Sequence, residues 1–324
     1  MRKPAISVLI PVYNVEKYID ICLRSVVEQT FQDFEIICLN DGSTDNSAEI
    51  LKRWQQQEPR LKIITQKNQG LSVARNHLLQ EANGEYVAFV DADDKLDTSY
   101  LQKLYGDIIS GGAEVSVCFF DHIGADGLTR TSPRLPKYYY LQPSRDPGER
   151  FRCGFYNPTA PAKLFKREFL LRNDLIFWQG RKAEDVPFTV QAYLLASQVV
   201  YVKEALYLYR QGEISSISRN LSAMTVDMLR NLWDLYFALK DKQLWSGGVA
   251  YEWIKAVVWY IARFHKLSQR EQLHYMDLQQ EVWQQAREET IALPGWRKYR
   301  YKLLFWLVDY FGWTSVYFWS RIFR

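Results

Sequence analysis

Four times between residues 5 and 110 a short apolar run is followed by a stretch with helical spacing, and this alternation restricts the fold more than any other feature of the chain. Ile6-Ser7-Val8-Leu9-Ile10 opens the series. Residues 15–29 follow with apolar side chains at Tyr18, Ile19, Cys22, Leu23, Val26 and Val27, three and four apart as on one helix face. Residues 35–39 then lead into 45–57, residues 61–65 into 71–82, and residues 86–90, after a polar break, into 99–109; residues 115–119 read as a fifth strand. Apolar runs this short, bounded by turn residues, suit strands covered on both faces, and the connections are long enough for right-handed crossovers. The pattern predicts an α/β fold, Rossmann-like, with a mostly parallel sheet and helices on both faces. Ligands of such sheets bind beyond the carboxyl ends of the strands, so functional residues are sought there.

The rest of the chain is organised differently. Residues 121–161 carry scattered Gly and Pro around three consecutive tyrosines, Tyr138–Tyr140, and read as a functional loop or short hairpins. Short strands are expected at 163–166, 199–202 and 207–210, a helix at 185–197, and three helices at 221–242, 249–266 and 270–292. We expect a nucleotide-binding domain over 1–217, a helical region over 218–295, and a separate tail over 296–324. The tail holds 12 of the 49 aromatic residues and six Lys/Arg against one acid, Asp309. Its +5 exceeds the net +4 of the whole chain, so the first 295 residues sum to −1, and a basic nucleic-acid groove through the body is not expected. The tail is too short and too polar for a membrane span. It suits an amphipathic helix on an anionic membrane surface, or else a core helix packed on the preceding three. The four cysteines have no zinc-ligand spacing, and the first apolar run is too short for a secretory signal. The expected location is therefore cytoplasmic, peripheral at the inner face of the cytoplasmic membrane.

At the strand ends the residues become specific. The first run ends in Pro11-Val12-Tyr13-Asn14, the second in Asn40-Asp41-Gly42-Ser43-Thr44-Asp45, the fourth in Asp91-Ala92-Asp93-Asp94. Asp45 and Ser43 suit a helix cap, whereas capping does not require Asp41, whose carboxylate can accept a hydrogen bond from a flat polar ligand such as a nucleobase N–H. Three carboxylates within four residues repel one another unless solvent or a cation compensates them. Asp91 and Asp93 suit a shared Mg²⁺ or Mn²⁺ that takes further oxygens from phosphate; a solvated acidic turn is the plainer alternative. Residues 67–76 open the third helix with Gly70, Ser72 and Arg75, and Arg75 suits either a phosphate or a carboxylate of the acidic loop.

Residues 6–14, 39–47, 68–76 and 87–94, in this order and spacing, resemble the family 2 inverting glycosyltransferases of the GT-A fold, of the kind that build bacterial cell-surface glycans. The resemblance covers about residues 4–215. It implies that Pro11, Val12, Tyr13 and Asp41 surround the base of a nucleotide-sugar, usually a UDP-sugar. It also implies that Asp91 serves the ribose or the metal, and that Asp93 binds the divalent metal, Mn²⁺ or Mg²⁺, that bridges the diphosphate. The family's general base is matched by Asp185 in Ala183-Glu184-Asp185-Val186-Pro187-Phe188, residues that also suit a helix N-terminus. Lys163-Leu164-Phe165 resembles a further family segment, but Pro161-Ala162 replaces the usual Trp-Asn before it. Tyr209-Arg210 followed by Ser215-Ser216 resembles the segment that closes over the diphosphate, with Arg210 as a phosphate contact. The implied reaction is transfer of a hexosyl or N-acetylhexosaminyl group to a hydroxyl of a glycan or lipid-linked glycan, of lipopolysaccharide type. A noncatalytic nucleotide- or carbohydrate-binding module and a nucleotidyltransferase are the competing readings. The second lacks its Gly/Arg/Lys-rich loop after the first strand.

Overall fold

Seven consecutive buried residues, Ile6–Val12, form β1, and the sheet grows outward from it on both sides. The computed structural model describes residues 3–124, 130–132, 145–211, 221–295, 298 and 301–305. Tyr138–Tyr140, Ser215-Ser216 and residues 306–324 of the expected membrane-contacting tail lie outside them. By internal packing the chain divides into two compact units: Met1–Gln142, Asn157–Gly180 and Leu195–Ser216 in the first, and Pro143–Tyr156, Arg181–Leu194 and Ile217–Arg324 in the second.

In the first unit, β1 lies between β2 (Phe34–Asn40) and β4 (Tyr86–Phe89), parallel to both, and β3 (Leu61–Thr65) extends the parallel set beside β2. The intervening helices are α1 (Ile19–Val27), α2 (Ser47–Gln57) and α3 (Leu71–Glu81). Val12 is level with Asn40 and Leu9 with Phe89, so β1, β2 and β4 run out along one edge, and Asp41 and Asp91 follow close behind the strands. Beyond β4 the sheet is mixed. β5 (Lys95–Leu96), α4 (Tyr100–Ser110), β6 (Val115–Ile123), β7 (Arg130–Thr131), β8 (Lys163–Lys166), α6 (Arg167–Arg172) and β9 (Val199–Arg210) complete the unit. β8 enters antiparallel between β4 and β6, β9 runs parallel to β6, and β5 is antiparallel to β9. Expectation and structure therefore differ in degree, because the crossover rhythm that dictates parallel pairing stops at β4. The short runs expected at 199–202 and 207–210 join into the single strand β9, bridged by irregular pairing near Phe119.

The second unit is helical: α5 (Pro147–Tyr156), α7 (Asp185–Leu195), α8 (Leu221–Asp241), α9 (Gly247–Phe264), α10 (Gln269–His274) and α11 (Met276–Ile291). α5 lies within the stretch expected to be irregular. Gly148 and Gly154 weaken its helical signal, yet each is required by close packing: a Cβ would stand 2.8 Å from Gly248 O at the first and 2.8 Å from Val190 Cα at the second. These approaches tie α5 to α9 and α7, which is why 143–156 and 181–194 group with the C-terminal helices although the sequence division at 217 assigned them to the first domain. The helix expected at 270–292 breaks at Tyr275, with α10 started by a Ser268–Glu271 capping box. From the tail, Tyr301, Leu304 and Phe305 are buried, with Tyr301 edge-on to Tyr251 and Phe305 against Trp283. No helix among the described residues is long and apolar enough to cross a membrane.

Candidate active site

The loops after β1 and β2 are laced together by backbone-to-side-chain hydrogen bonds. Asn14, at φ +52°, donates its N–H to Ser43 Oγ (3.1 Å) and accepts from Thr44 N–H (2.8 Å). Val15 N–H donates to Ser47 Oγ (3.0 Å) and Glu16 N–H to Asp45 (2.9 Å), while Glu16 accepts from Asn46 N–H (2.9 Å). Pro11 and Val12 are buried beneath this lacing, and Tyr13 stands out from it, 49% exposed.

Asp41 is 3% exposed and accepts from three protein donors: Gln66 Nε2 (2.8 Å) and Gln69 N–H (2.9 Å) at Oδ1, and Gly70 N–H (2.9 Å) at Oδ2. The carboxylate thereby holds the β3–α3 loop against the β2 end. Gly42 permits the approach: it sits at φ +71°, and a Cβ there would stand 2.8 Å from Asn68 N.

The acidic loop after β4 is built around opposite charges and one phenol. Arg75, 1% exposed in α3, donates to Asp91 Oδ1 (2.8 Å) and lies against the Phe177 ring. This is the carboxylate pairing, one of the two roles open to it from sequence. Asp94 is buried; it accepts from Tyr207 Oη (2.6 Å) and Arg210 N–H (2.8 Å), and the same phenol oxygen accepts Asp91 N–H (3.2 Å). Arg210 is 5% exposed. Its guanidinium donates to the carbonyls of Asp93 (2.7 Å) and Gly124 (3.0 Å) and covers the Tyr18 ring. Arg210, which the resemblance implied as a phosphate contact, thus also clamps the acidic loop. Asp94 and Tyr207 were not singled out from sequence. No local signal marks them, because the donor that draws Asp94 inward lies 113 residues away.

The charge balance at this edge is unfavourable to full ionisation. Burial, and then the Asp91 charge, push Asp93 up to about 6. Burial raises Asp94 well above the carboxylate range, with Asp93 and Asp91 adding to it, and burial likewise raises the Tyr207 phenol, with Asp94 beside it. Among the described residues no three His, Cys, Asp or Glu side chains converge as a metal cage. Asp91 and Asp93, two carboxylates whose charges Arg75 and Arg210 only partly offset, nevertheless fit a Mg²⁺ or Mn²⁺ ion that would draw its remaining oxygens from a diphosphate and water. Asp185, half-buried, opens α7 in the second unit, after Ala183 at φ +55°.

A sequence profile described as glycosyl transferase family 2 matches residues 7–170, half of the chain. The chain belongs to glycosyl transferase family 2. The chain is 34% identical over 226 residues to glycosyltransferase GlyA of Streptococcus pneumoniae, covering 65% of this chain and 32% of GlyA. It is 40% identical over 229 residues to an uncharacterized glycosyltransferase of Haemophilus influenzae, covering 69% of this chain and 86% of that protein. The chain thus spans about a third of the length of GlyA. Its fold is that of S. aureus TarS residues 1–349, solved with UDP-GlcNAc: TM-score 0.58 at 24% identity, covering 87% of this chain and 91% of that one. The GT-A fold implied by the sequence motifs is therefore the fold of the chain, with a helical C-terminal region following it.

Proposed function

We propose that this family 2 chain is an inverting glycosyltransferase that moves a hexosyl or N-acetylhexosaminyl group from a UDP-sugar to a hydroxyl of a glycan or lipid-linked glycan. The observation that carries the reading is the convergence at one sheet edge of Tyr13, Asp41 and the Asp91–Asp93 pair, on a fold shared with a protein crystallised with UDP-GlcNAc. Exposed Tyr13 offers a ring for the base to stack on. Asp41 holds the 66–70 loop beside this edge and offers its one remaining lone pair, on Oδ2, to a base N–H.

Asp91 and Asp93 would hold the divalent ion, which neutralises charge on the departing diphosphate when bound. Asp185 accepts the acceptor hydroxyl's proton as that oxygen bonds to the anomeric carbon; the bond from that carbon to the phosphate oxygen breaks, and its electron pair leaves with the diphosphate. Attack from the face opposite the leaving group converts an α-linked donor into a β-linked product. Asp185→Asn is expected to keep donor affinity and to lower turnover on the order of 10²–10⁴-fold, the usual share of a positioned base. Undiminished turnover, or an α-linked product by NMR of the anomeric proton, would overturn the reading. We assign the composition of residues 306–324 to contact with anionic membrane, which requires that truncation after Phe305, sparing the buried Tyr301 and Leu304, release the protein from anionic vesicles.

A further inference from the structure

The segment that leads into Asp185 is held by one face of α8, a helix outside the residues that match the family. Asp227, Asn231 and Asp234 recur at helical spacing, and each reaches the segment 181–183 within the second unit. Asn231, 1% exposed, donates from Nδ2 to the carbonyls of both Lys182 (3.0 Å) and Ala183 (3.0 Å). Asp227 Oδ2 accepts Lys182 N–H (2.9 Å), and Asp234 Oδ2 accepts from Arg181 Nη1 (2.6 Å). The Ala183 carbonyl also receives Val186 N–H (3.1 Å), the first turn of α7. Ala183 itself sits at φ +55°, a left-handed conformation that an alanine keeps only where its surroundings over-determine it. With Arg181 Nη1 also donating to Asn231 Oδ1 (3.4 Å), five hydrogen bonds to α8 supply that constraint and fix the direction in which the chain enters α7.

We propose that Asp227, Asn231 and Asp234 are positioning residues for Asp185, which fix how the chain carrying it enters α7. This rests on the reading of Asp185 as the general base. The sequence gives no local hint of it, because α8 follows Asp185 by some forty residues. A clasp of this kind acts through the base alone, whereas a merely structural contact lowers activity whatever residue occupies position 185.

The test is a double-mutant cycle on the full chain, with Asn231→Leu introduced beside Asp185 and beside Asp185→Asn. Steady-state nucleoside diphosphate release is followed with whichever of UDP-GlcNAc, UDP-glucose and UDP-galactose is turned over fastest. Asn231→Leu is expected to lower kcat about tenfold, to leave the donor KM within twofold, and to leave the residual rate of the Asp185→Asn variant unchanged. An equal fall in both backgrounds, or an unchanged kcat beside Asp185, would overturn the proposal. Should Asn231→Leu fail to fold, Asp234→Ala removes only the Arg181 contact at a half-exposed side chain; the same cycle then expects a two- to fivefold fall confined to the Asp185 background, and any other pattern overturns the proposal. Failure of the underlying reading is seen separately, as an Asp185→Asn single variant with undiminished turnover.

Discussion

Replacing Asp93 with Asn should stabilise the protein and disable it at once. Burial and the neighbouring Asp91 charge push the Asp93 carboxyl from its ordinary 3.8 up to about 6. The folded chain therefore keeps this proton at pH values where the unfolded chain has already lost it. The associated stability is fully present below the unfolded value and is lost as pH rises through about 6. At about 1.4 kcal/mol per pH unit between the two values, ionised Asp93 costs the fold about 3 kcal/mol at neutral pH. An amide of the same shape has no charge to desolvate. In EDTA, Asp93→Asn is expected to be up to about 3 kcal/mol more stable than the parent chain at pH 7.5, and less than about 1 kcal/mol more stable at pH 4. The same change removes one of the two proposed metal carboxylates and should lower diphosphate release on the order of 10²-fold, the scale of losing one stabilising partner of the transition-state charge. Urea unfolding of both chains from pH 4 to 8 measures the first effect, and turnover with Mn²⁺ the second. A variant no more stable at pH 7.5, or a gain in stability that does not vary with pH, would show that burial does not disfavour the Asp93 charge.

Tyr207→Phe deletes the hydroxyl shared by Asp94 and Asp91 N–H, leaving the buried Asp94 carboxyl group and a backbone N–H each one partner short; a loss of about 2 kcal/mol in urea unfolding is expected. Arg75→Met leaves Asp91 without its buried partner and should cost about 3 kcal/mol, with weaker UDP binding by calorimetry. At the opposite end of the sheet, Gly84→Ala places a Cβ 2.5 Å from Ser7 N, and a loss of about 1–3 kcal/mol is expected with kcat unchanged per folded molecule. Retained stability in any of the three would show that the contact in question is not under the constraint described.

The parts of this fold that could be read from sequence are those governed by local pattern. The β3 run at 61–65 and the β8 run at 163–166 show it most plainly: each is a short stretch with an apolar centre, and each forms a strand over those residues. What remained hidden is set by distant partners. α5 carries two glycines that disfavour a helix until Gly248 and Val190 approach them. The inward turn of Asp94 depends on Tyr207, more than a hundred residues away, and Arg210 is drawn to the Asp93 and Gly124 carbonyls rather than standing free. Asp185 was legible as an acid at a helix start, but its support from Asp227, Asn231 and Asp234 was not, since no spacing within α8 reveals which loop its polar face meets.

The proposed function turns on a nucleotide-sugar bound at the edge formed by β1, β2 and β4 and cleaved there. A panel of UDP-, GDP- and dTDP-sugars, each incubated with the full chain in Mn²⁺ and again in excess EDTA, measures this directly as release of nucleoside diphosphate. Release from a UDP-sugar, lost in EDTA, is expected. Tight binding of UDP with no release from any donor, or release that persists undiminished in EDTA, would contradict it.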